Sequence, residues 1–188
     1  GYDQASTNRI IREASISKGL LFHYFGSKKQ LFLATFDYCV NQYTNEINRL
    51  LPPSTDLPTD FFERILFRVE AKFRYFLQHP TMYSFLLTAY DELLKKFPDE
   101  AEKRLNFLEK IALSFMIDGI DRSKFRPGLD IEKVVSFIFL SLNAFTQRWI
   151  RQVSEQPEKG IDRWEAVLTE YKMMLDILKH GVYRNSGE

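Results

Sequence analysis

The apolar positions of this chain recur every three or four residues almost throughout, which is the spacing of amphipathic α-helices. Serines in capping positions predict three amino-terminal helices, over residues 6–14, 17–24 and 27–51. The third begins with Ser27 and Gln30 in the arrangement of a capping box, a common start of a helix. The chain therefore opens with two short helices and one long helix.

Prolines and glycines divide the rest of the pattern into further helical segments. We predict five of them, over residues 61–79, 81–95, 99–119, 131–155 and 161–180. Thr59 or Asp60 caps the first, and Gly181 closes the last. No alternating pattern is long enough to predict a strand, and the 8 glycines and 7 prolines are too few for a chain of many tight turns. The predicted fold class is all-α.

The charge balance and the cysteine content exclude several classes of protein. The 188 residues include 26 Lys and Arg against 25 Asp and Glu, so the chain is neither a polycation nor an acidic tail. Residues 1–30 nevertheless carry a formal charge of +3. A single cysteine, Cys39, excludes a disulfide framework and indicates a reducing compartment. Because no apolar run approaches the roughly 18 residues of a membrane span, we expect a cytoplasmic protein that does not bind membranes.

Two short helices joined by a tight turn and followed by a third helix are the layout of a helix-turn-helix. The second helix begins with Ser17, Lys18 and Gly19, which offer a cap, a cation and a residue small enough for close approach to a duplex. Leu21 and Phe25, four residues apart, are expected to pack against the first helix. The spacing alone leaves an ordinary alternative open, a solvated surface helix whose aromatic residues belong to a core.

Residues 6–31 read S-T-N-R-I-I-R-E-A-S-I-S-K-G-L-L-F-H-Y-F-G-S-K-K-Q-L. This segment resembles the DNA-binding signature of the TetR/AcrR family of bacterial transcriptional regulators, which is roughly T-T-x-x-I-A-x-x-A-G-V-S-x-G-x-L-Y-x-H-F-x-x-K-x-x-L. The departures from that pattern include Ser15 in place of glycine, Ile11 in place of alanine, Phe22 in place of tyrosine and Tyr24 in place of histidine. The family tyrosine often contacts phosphate through its hydroxyl group, which Phe22 lacks.

The resemblance implies an all-α homodimeric repressor with two domains. Residues 1–30 form the helix-turn-helix that binds a double-stranded DNA operator, and residues 31–188 form a helical domain for ligand binding and dimerisation. The residues that the resemblance places against DNA are Thr7, Ser17, Lys18, Gly19, Leu20, Phe22, His23, Tyr24 and Lys28. The family also has a helix ahead of this motif, and we expect the native protein to have one before Gly1.

The last two predicted helices have the pattern of a dimer interface. The final helix carries apolar residues in steps of three and four, and residues 131–155 have almost no polar side, so that helix needs cover all round. A two-fold four-helix interface provides that cover, although both helices could instead serve the core of one protomer. The expected interface residues are Val135, Phe139, Leu142, Trp149, Trp164, Leu168, Tyr171, Leu175 and Leu178.

The 17 phenylalanines and 4 methionines lie mainly in predicted helices. Most of them are expected to form core, but such side chains also line apolar pockets, and Asn143 and Gln147 offer partly buried polar groups to orient a ligand. The candidate pocket residues are Met82, Phe85, Phe115, Asn143 and Gln147. The expected effector is a small apolar or amphipathic molecule, and no cofactor is implied.

The function predicted by these features is a DNA-binding regulator that is released from its operator by a small ligand. We find no nucleophile elbow, no phosphate-binding glycine pattern and no H-E-x-x-H, and the three histidines lack the spacing of a metal site, so an enzyme is not expected. The alternative that stays open is a helical adaptor that binds only protein.

Overall fold

The structure is a computed structural model that describes residues 1–52, 56–154 and 164–183, without the side chains of Phe73, Asn143, Gln147, residues 149–154 and Trp164. Its helices are α1 (Thr7–Glu13), α2 (Lys18–Phe25), α3 (Lys28–Leu50), α4 (Phe61–Gln78), α5 (Pro80–Lys96), α6 (Pro98–Ile117), α7 (Ile131–Ser154) and α8 (Trp164–Val182). A short 3-10 helix covers Arg122–Lys124. Within the described ranges there is no strand, although Phe125 and Tyr183 form an isolated antiparallel bridge. The predicted all-α fold is confirmed.

Side-chain caps begin the helices where the sequence predicts them. The Ser6 hydroxyl accepts a hydrogen bond from the Arg9 amide at 3.4 Å, and Ser17 and Ser27 accept from the amides three residues on, at 3.1 Å each. Asp60 caps α4 and accepts from two amides of its first turn, at 2.9 and 3.1 Å. These local contacts satisfy amides that have no partner within the helix and fix where each helix starts.

The end of α8 differs from the prediction. Gly181 does not close the helix, which continues to Val182, and the Tyr183 amide still donates to the Lys179 carbonyl at 2.8 Å. The reason is the anchoring of Tyr183, whose ring packs edge-on against Phe62 and Phe125 with centroids 5.1 Å from each. Residues 161–163, where the helix was predicted to begin, lie outside the described residues.

Three apolar clusters form the core, and α4 contacts the helices α3, α5, α6 and α8 around it. The first joins α3 to α5 and α6 through Phe32, Leu33, Phe36, Ala89, Leu93 and Ala101. The second joins α3, α4, α5 and α8 through Ile47, Ala71, Tyr75, Phe76, Tyr83, Leu87 and Val167. The third contains Phe61, Phe62, Ile65, Met116, Ile120, Phe125, Val135, Ile138, Leu142, Leu175 and Tyr183. The long helix α3 thus runs from the amino-terminal helices into this core.

Two polar side chains are buried at the start of α4. Asp60 forms ion pairs with Lys124 at 2.9 Å and Lys179 at 3.6 Å, in addition to its role as a cap. Burial alone raises the pKa of Asp60, but the hydrogen bonds from Lys124 and the Glu63 amide outweigh it, so the pKa lies below its ordinary value. Arg64, which is 2% exposed, donates to the carbonyls of Pro58, Phe115 and Asp118.

The structure corrects the position of several predicted interface residues. Val135, Leu142 and Leu175 are buried in the third cluster of their own protomer, so they have no surface left to offer a partner. Phe139, Tyr171 and Leu178 are half-buried against the same cluster, Leu168 is half-buried, and the side chains of Trp149 and Trp164 lie outside the described residues. The seam predicted on α8 is therefore its inner face.

The outer faces of α7 and α8 carry other apolar residues. Phe137 and Leu140 on α7 are 61% and 60% exposed, and Met173 and Ile177 on α8 are 57% and 64% exposed. The two helices are in contact, since the rings of Phe145 and Tyr171 meet edge-on. One side of α7 thus packs within its own protomer, while the other side is uncovered in the single chain.

Candidate nucleic-acid interface

The turn between α1 and α2 has a left-handed residue at its centre. Ser15 has a φ of 54°, and the amide that follows it, on Ile16, donates to the Ile11 carbonyl at 3.1 Å. This geometry lets the chain reverse between two helices within four residues, and Leu21 of α2 is then buried beneath α1 and α3. Because a left-handed conformation crowds any Cβ atom, the turn favours glycine, which Ser15 replaces here.

We expect the Ser15→Gly substitution to stabilise the protein by about 0.5–1 kcal/mol. Removing the Cβ atom relieves a left-handed strain of about 1–2 kcal/mol, and the extra chain entropy of glycine offsets about half of it. Thermal unfolding measures the change as a rise of the midpoint by a few degrees at most. Ser15→Ala is the matched control, since it keeps the Cβ atom and should give no rise. A fall in stability for Ser15→Gly contradicts the strain.

The exposed side of α2 carries most of the predicted DNA contacts. Ser17, Lys18, Gly19 and Leu20 are exposed at its start, and His23 and Tyr24 are exposed one turn later, with their rings 5.4 Å apart. Phe22 on α2 and Thr7 on α1 are half-buried. Such a short helix with an open amino-terminal turn presents free amides, one cation and two polar aromatic groups to the outside.

Gly19 is not required by the packing of the protein. A Cβ atom added there meets a single neighbouring atom within 4 Å, the Ser17 hydroxyl oxygen at 3.9 Å, which is ordinary van der Waals contact. The backbone at Gly19 is helical, so a larger residue would also favour the helix by about 1 kcal/mol. The fold therefore gives no reason for glycine at this position, and a close approach from outside does.

We expected Lys28 to be free to contact phosphate, but in the structure its side chain lies against the protein. Its ammonium group lies 4.7 Å from the centroid of the Tyr2 ring and donates to the Asp3 carbonyl at 3.3 Å. Tyr2 also packs edge-on against Phe32 and Phe97 with centroids 5.2 Å from each. Sequence reasoning missed this amino-terminal segment, which holds Lys28 against the protein.

Residues 1–35 match the family described as bacterial regulatory proteins, tetR family. The similarity to this family therefore lies in the first 35 residues, which contain α1, α2 and the start of α3. No curated protein matches the chain.

Two solved structures are similar to this chain over nearly its whole length. A TetR family transcriptional regulator from Chloroflexus aurantiacus J-10-FL is 19% identical, with a TM-score of 0.59 over 98% of this chain and 86% of the other. The ketosteroid transcriptional regulator KstR2 of Mycobacterium tuberculosis is also 19% identical, with a TM-score of 0.50 over 98% and 88% of the two chains. At this level of identity the likeness establishes a shared fold.

An ion-pair network joins the start of α3 to α6. Arg104 donates to both carboxylate oxygens of Asp37, at 2.7 and 2.9 Å, and to Glu100 at 2.8 Å. Lys29, in the first turn of α3, pairs with the same Glu100 at 3.4 Å. These hydrogen bonds, the one from Arg104 first, hold the pKa of Glu100 below its ordinary value. Asp37 and Arg104 are 67 residues apart, so no local pattern in the sequence could indicate the pair.

A cavity of about 820 Å³ lies between the amino-terminal segment and α5. Its walls include Tyr2, Ile10, Phe32, Ser84, Phe85 and Glu92. Of the predicted pocket residues, Phe85 lines this cavity. Met82 instead accepts a hydrogen bond from the Tyr75 hydroxyl at 3.0 Å, and Phe115 lies beneath the Arg68 guanidinium. The side chains of Asn143 and Gln147 lie outside the described residues. The predicted pocket residues are thus not brought together in this cavity.

In the described part of the chain, no group of three or more His, Cys, Asp and Glu side chains is placed to hold a metal ion. None of its helices is long and apolar enough to cross a membrane.

Proposed function

We infer that this chain is a transcriptional regulator of the TetR family, a dimeric repressor that leaves its operator when a small amphipathic molecule binds among the body helices α4–α8. The observation that carries this inference is the exposed start of α2, with Ser17, Lys18 and Gly19 on a turn whose packing does not require glycine. In this division, residues 1–30 hold DNA, and residues 31–188 bind the effector and dimerise. Such a regulator acts in the cytoplasm, where its DNA lies.

The side chains of α2 suit the two kinds of contact that DNA offers. Lys18 and the amides at the start of the helix suit phosphate oxygens. Leu20 can pack on a thymine methyl group, and His23 and Tyr24 can hydrogen-bond to base edges or phosphates. Thr7 and Phe22, both half-buried, would contribute at the margin of this surface. Lys28 reaches phosphate only after it leaves the Tyr2 ring.

Dimerisation through the outer faces of α7 and α8 supplies the second DNA-binding helix. Their exposed apolar residues, Phe137, Leu140, Met173 and Ile177, form the surface that a second copy would cover. A two-fold dimer then sets the two α2 helices about 34–36 Å apart, one turn of the duplex, or a multiple of that distance. An effector that favours a different separation shifts the population away from the DNA-bound state.

The experiment that tests DNA binding is the Gly19→Leu substitution. On duplexes selected from a random pool with the unaltered protein, we expect Gly19→Leu to weaken binding at least about 100-fold, or about 2.7 kcal/mol. The cause is a side chain standing between the α2 backbone and the duplex. Thermal unfolding should show no loss of stability, because the fold has room for the side chain.

Gly181→Leu is the matched control, since Gly181 is also an exposed helical glycine with no atom within 4 Å of an added Cβ. It lies on α8 and should leave DNA affinity unchanged. Equal binding by Gly19→Leu and the unaltered protein would remove α2 from the interface. Recovery of no duplex from the pool at low salt would instead favour the helical adaptor that binds only protein, since phosphate contacts are strongest at low salt.

A further inference from the structure

Two cationic side chains lie one turn apart on the inner part of α4. The Arg68 guanidinium carbon is 5.1 Å from the centroid of the Phe115 ring on α6. The Lys72 ammonium is 5.8 Å from the centroid of Phe76, a buried residue of the core. Tyr43 of α3 stacks on the same Phe76 ring, with centroids 5.2 Å apart and an interplanar angle of 6°. Both cations are half-buried among aromatic rings from three helices.

The charge of these two side chains is not balanced within the described part of the protein. There, no carboxylate forms an ion pair with Arg68 or Lys72 within 4.0 Å, whereas the neighbouring Glu70 pairs with Lys172 of α8 at 3.5 Å. Two like charges one turn apart on a helix repel each other. An arrangement in which two neighbouring cations lack a carboxylate partner is characteristic of a binding site for an anion.

The surroundings of Lys72 also indicate a binding site at this pair of cations. Burial, together with a smaller effect of the nearby Arg68 charge, lowers the pKa of Lys72 to about 8. A lysine that served only to cover apolar surface would extend its ammonium into water and keep its ordinary pKa. An anion placed between the two groups would reverse both effects, since it would favour the charged form of each.

We propose that the effector of this regulator is an amphipathic carboxylate whose anionic head is held between Arg68 and Lys72. The forked guanidinium and the ammonium together suit two carboxylate oxygens, and the half-buried rings of Tyr43 and Phe115 offer apolar surface for the rest of the molecule. This proposal rests on the proposed function, because it names the chemical class of the ligand that the body helices bind.

The position of the pair also connects the ligand to DNA binding. Tyr43 belongs to α3, the helix that begins at Lys28 beside the amino-terminal helices. Burial raises the pKa of Tyr43, and the nearby charge of Arg68 lowers it by a smaller amount. A head group bound at Arg68 therefore acts directly beside the helix that enters the core from the DNA-binding end.

The test compares an anion with a neutral molecule of the same length. Dodecanoate and dodecan-1-ol are titrated against the protein loaded with the neutral fluorophore N-phenyl-1-naphthylamine, and displacement is followed at pH 7. We expect dodecanoate to bind at least tenfold more tightly than dodecan-1-ol. In Arg68→Gln/Lys72→Gln this preference should fall to parity, because the alcohol never used the charges. Arg74→Gln, on an exposed position of the same helix, should keep the preference.

Stability gives an independent readout of the same site. Without ligand, Lys72→Met should raise the unfolding midpoint by a few degrees, because it removes an unbalanced charge, and dodecanoate should no longer raise it further. Each single variant serves if the double variant does not fold. Equal binding of acid and alcohol by the unaltered protein, or a preference that survives the loss of both cations, overturns the proposal.

The same variants separate this proposal from the proposed function. If dodecanoate binds through Arg68 and Lys72 but no duplex is bound, the proposed anion site is supported and the proposed DNA-binding function is refuted. If duplex is bound but the protein binds dodecanoate no more tightly than dodecan-1-ol, the DNA-binding function is supported and the proposed anion site is refuted. When both hold, dodecanoate should release duplex from the unaltered protein and not from Arg68→Gln/Lys72→Gln.

Discussion

Replacing Arg64 with methionine is expected to lower the free energy of unfolding by about 3 kcal/mol. Arg64 is 2% exposed, and its Nε atom donates to the Pro58 carbonyl at 2.8 Å. Its Nη1 atom donates to the carbonyls of Phe115 and Asp118 at the end of α6. Methionine fills the same length but donates nothing, so three partly buried hydrogen bonds to carbonyls are lost, at up to about 1–3 kcal/mol for each carbonyl left without a partner. Release of the buried charge offsets part of that cost.

Urea unfolding followed by circular dichroism measures this change. Arg74→Met is the matched control, because Arg74 is exposed on the same helix and should change stability by no more than about 0.5 kcal/mol. Arg64→Lys should fall between the two, since it keeps one donor but not the fork. A loss below about 1 kcal/mol for Arg64→Met would mean that the carbonyls find other partners and that the guanidinium does not join α4 to the end of α6.

The starts of the helices could be predicted because their causes are local. A cap such as Ser17 and the amide that it accepts from are three residues apart, so both are visible in one short stretch of sequence. The end of α8 could not be predicted in the same way. Gly181 is a common stop signal, but Tyr183 is anchored by rings that lie far away along the chain, and packing outweighed the signal.

The two faces of α7 show where periodicity fails. Almost every position from Val134 to Leu142 is apolar, so the sequence contains no contrast that could distinguish an inner from an outer face. The fold makes the distinction by contact, burying Val135 and Ile138 while leaving Phe137 on the surface. The same abundance of aromatic residues explains why the sequence did not show that Phe85 lines the cavity whereas Met82 and Phe115 do not.

The side chains that we propose to contact DNA could be predicted from a motif, whereas the contacts that join this region to the rest of the protein could not. The positions of Ser17 and Gly19 are set within one short helix, and a pattern of spacing suffices to find them. The contacts that join this region to α5 and α6, such as Lys29 with Glu100 and Arg104 with Asp37, unite residues more than 60 positions apart. Charged residues are frequent all along the chain, so only the fold selects the pairs.

Making the outer faces of α7 and α8 charged is expected to dissociate the proposed dimer and to weaken operator binding by about 1,000-fold. In Phe137→Glu/Ile177→Glu, carboxylates replace two apolar side chains that are 61% and 64% exposed in the single chain. Enclosing an unpaired charge in a dry interface costs several kcal/mol, while leaving it in water costs nothing. The folded protomer should therefore survive, and a monomer that reaches only one half-site loses the second set of contacts.

Sedimentation velocity measures the mass of the particle, and titration of the selected duplex measures affinity. Phe107→Glu is the matched control, because Phe107 is also 64% exposed but lies on α6, so it tests whether any surface charge has the same effect. It should leave both mass and affinity unchanged. If Phe107→Glu dissociates the protein and the double variant does not, the dimer interface is formed by α6 instead of by α7 and α8. If neither variant changes the mass of a dimer, the copies meet on a face other than these, and the outward phenylalanine and isoleucine need another explanation.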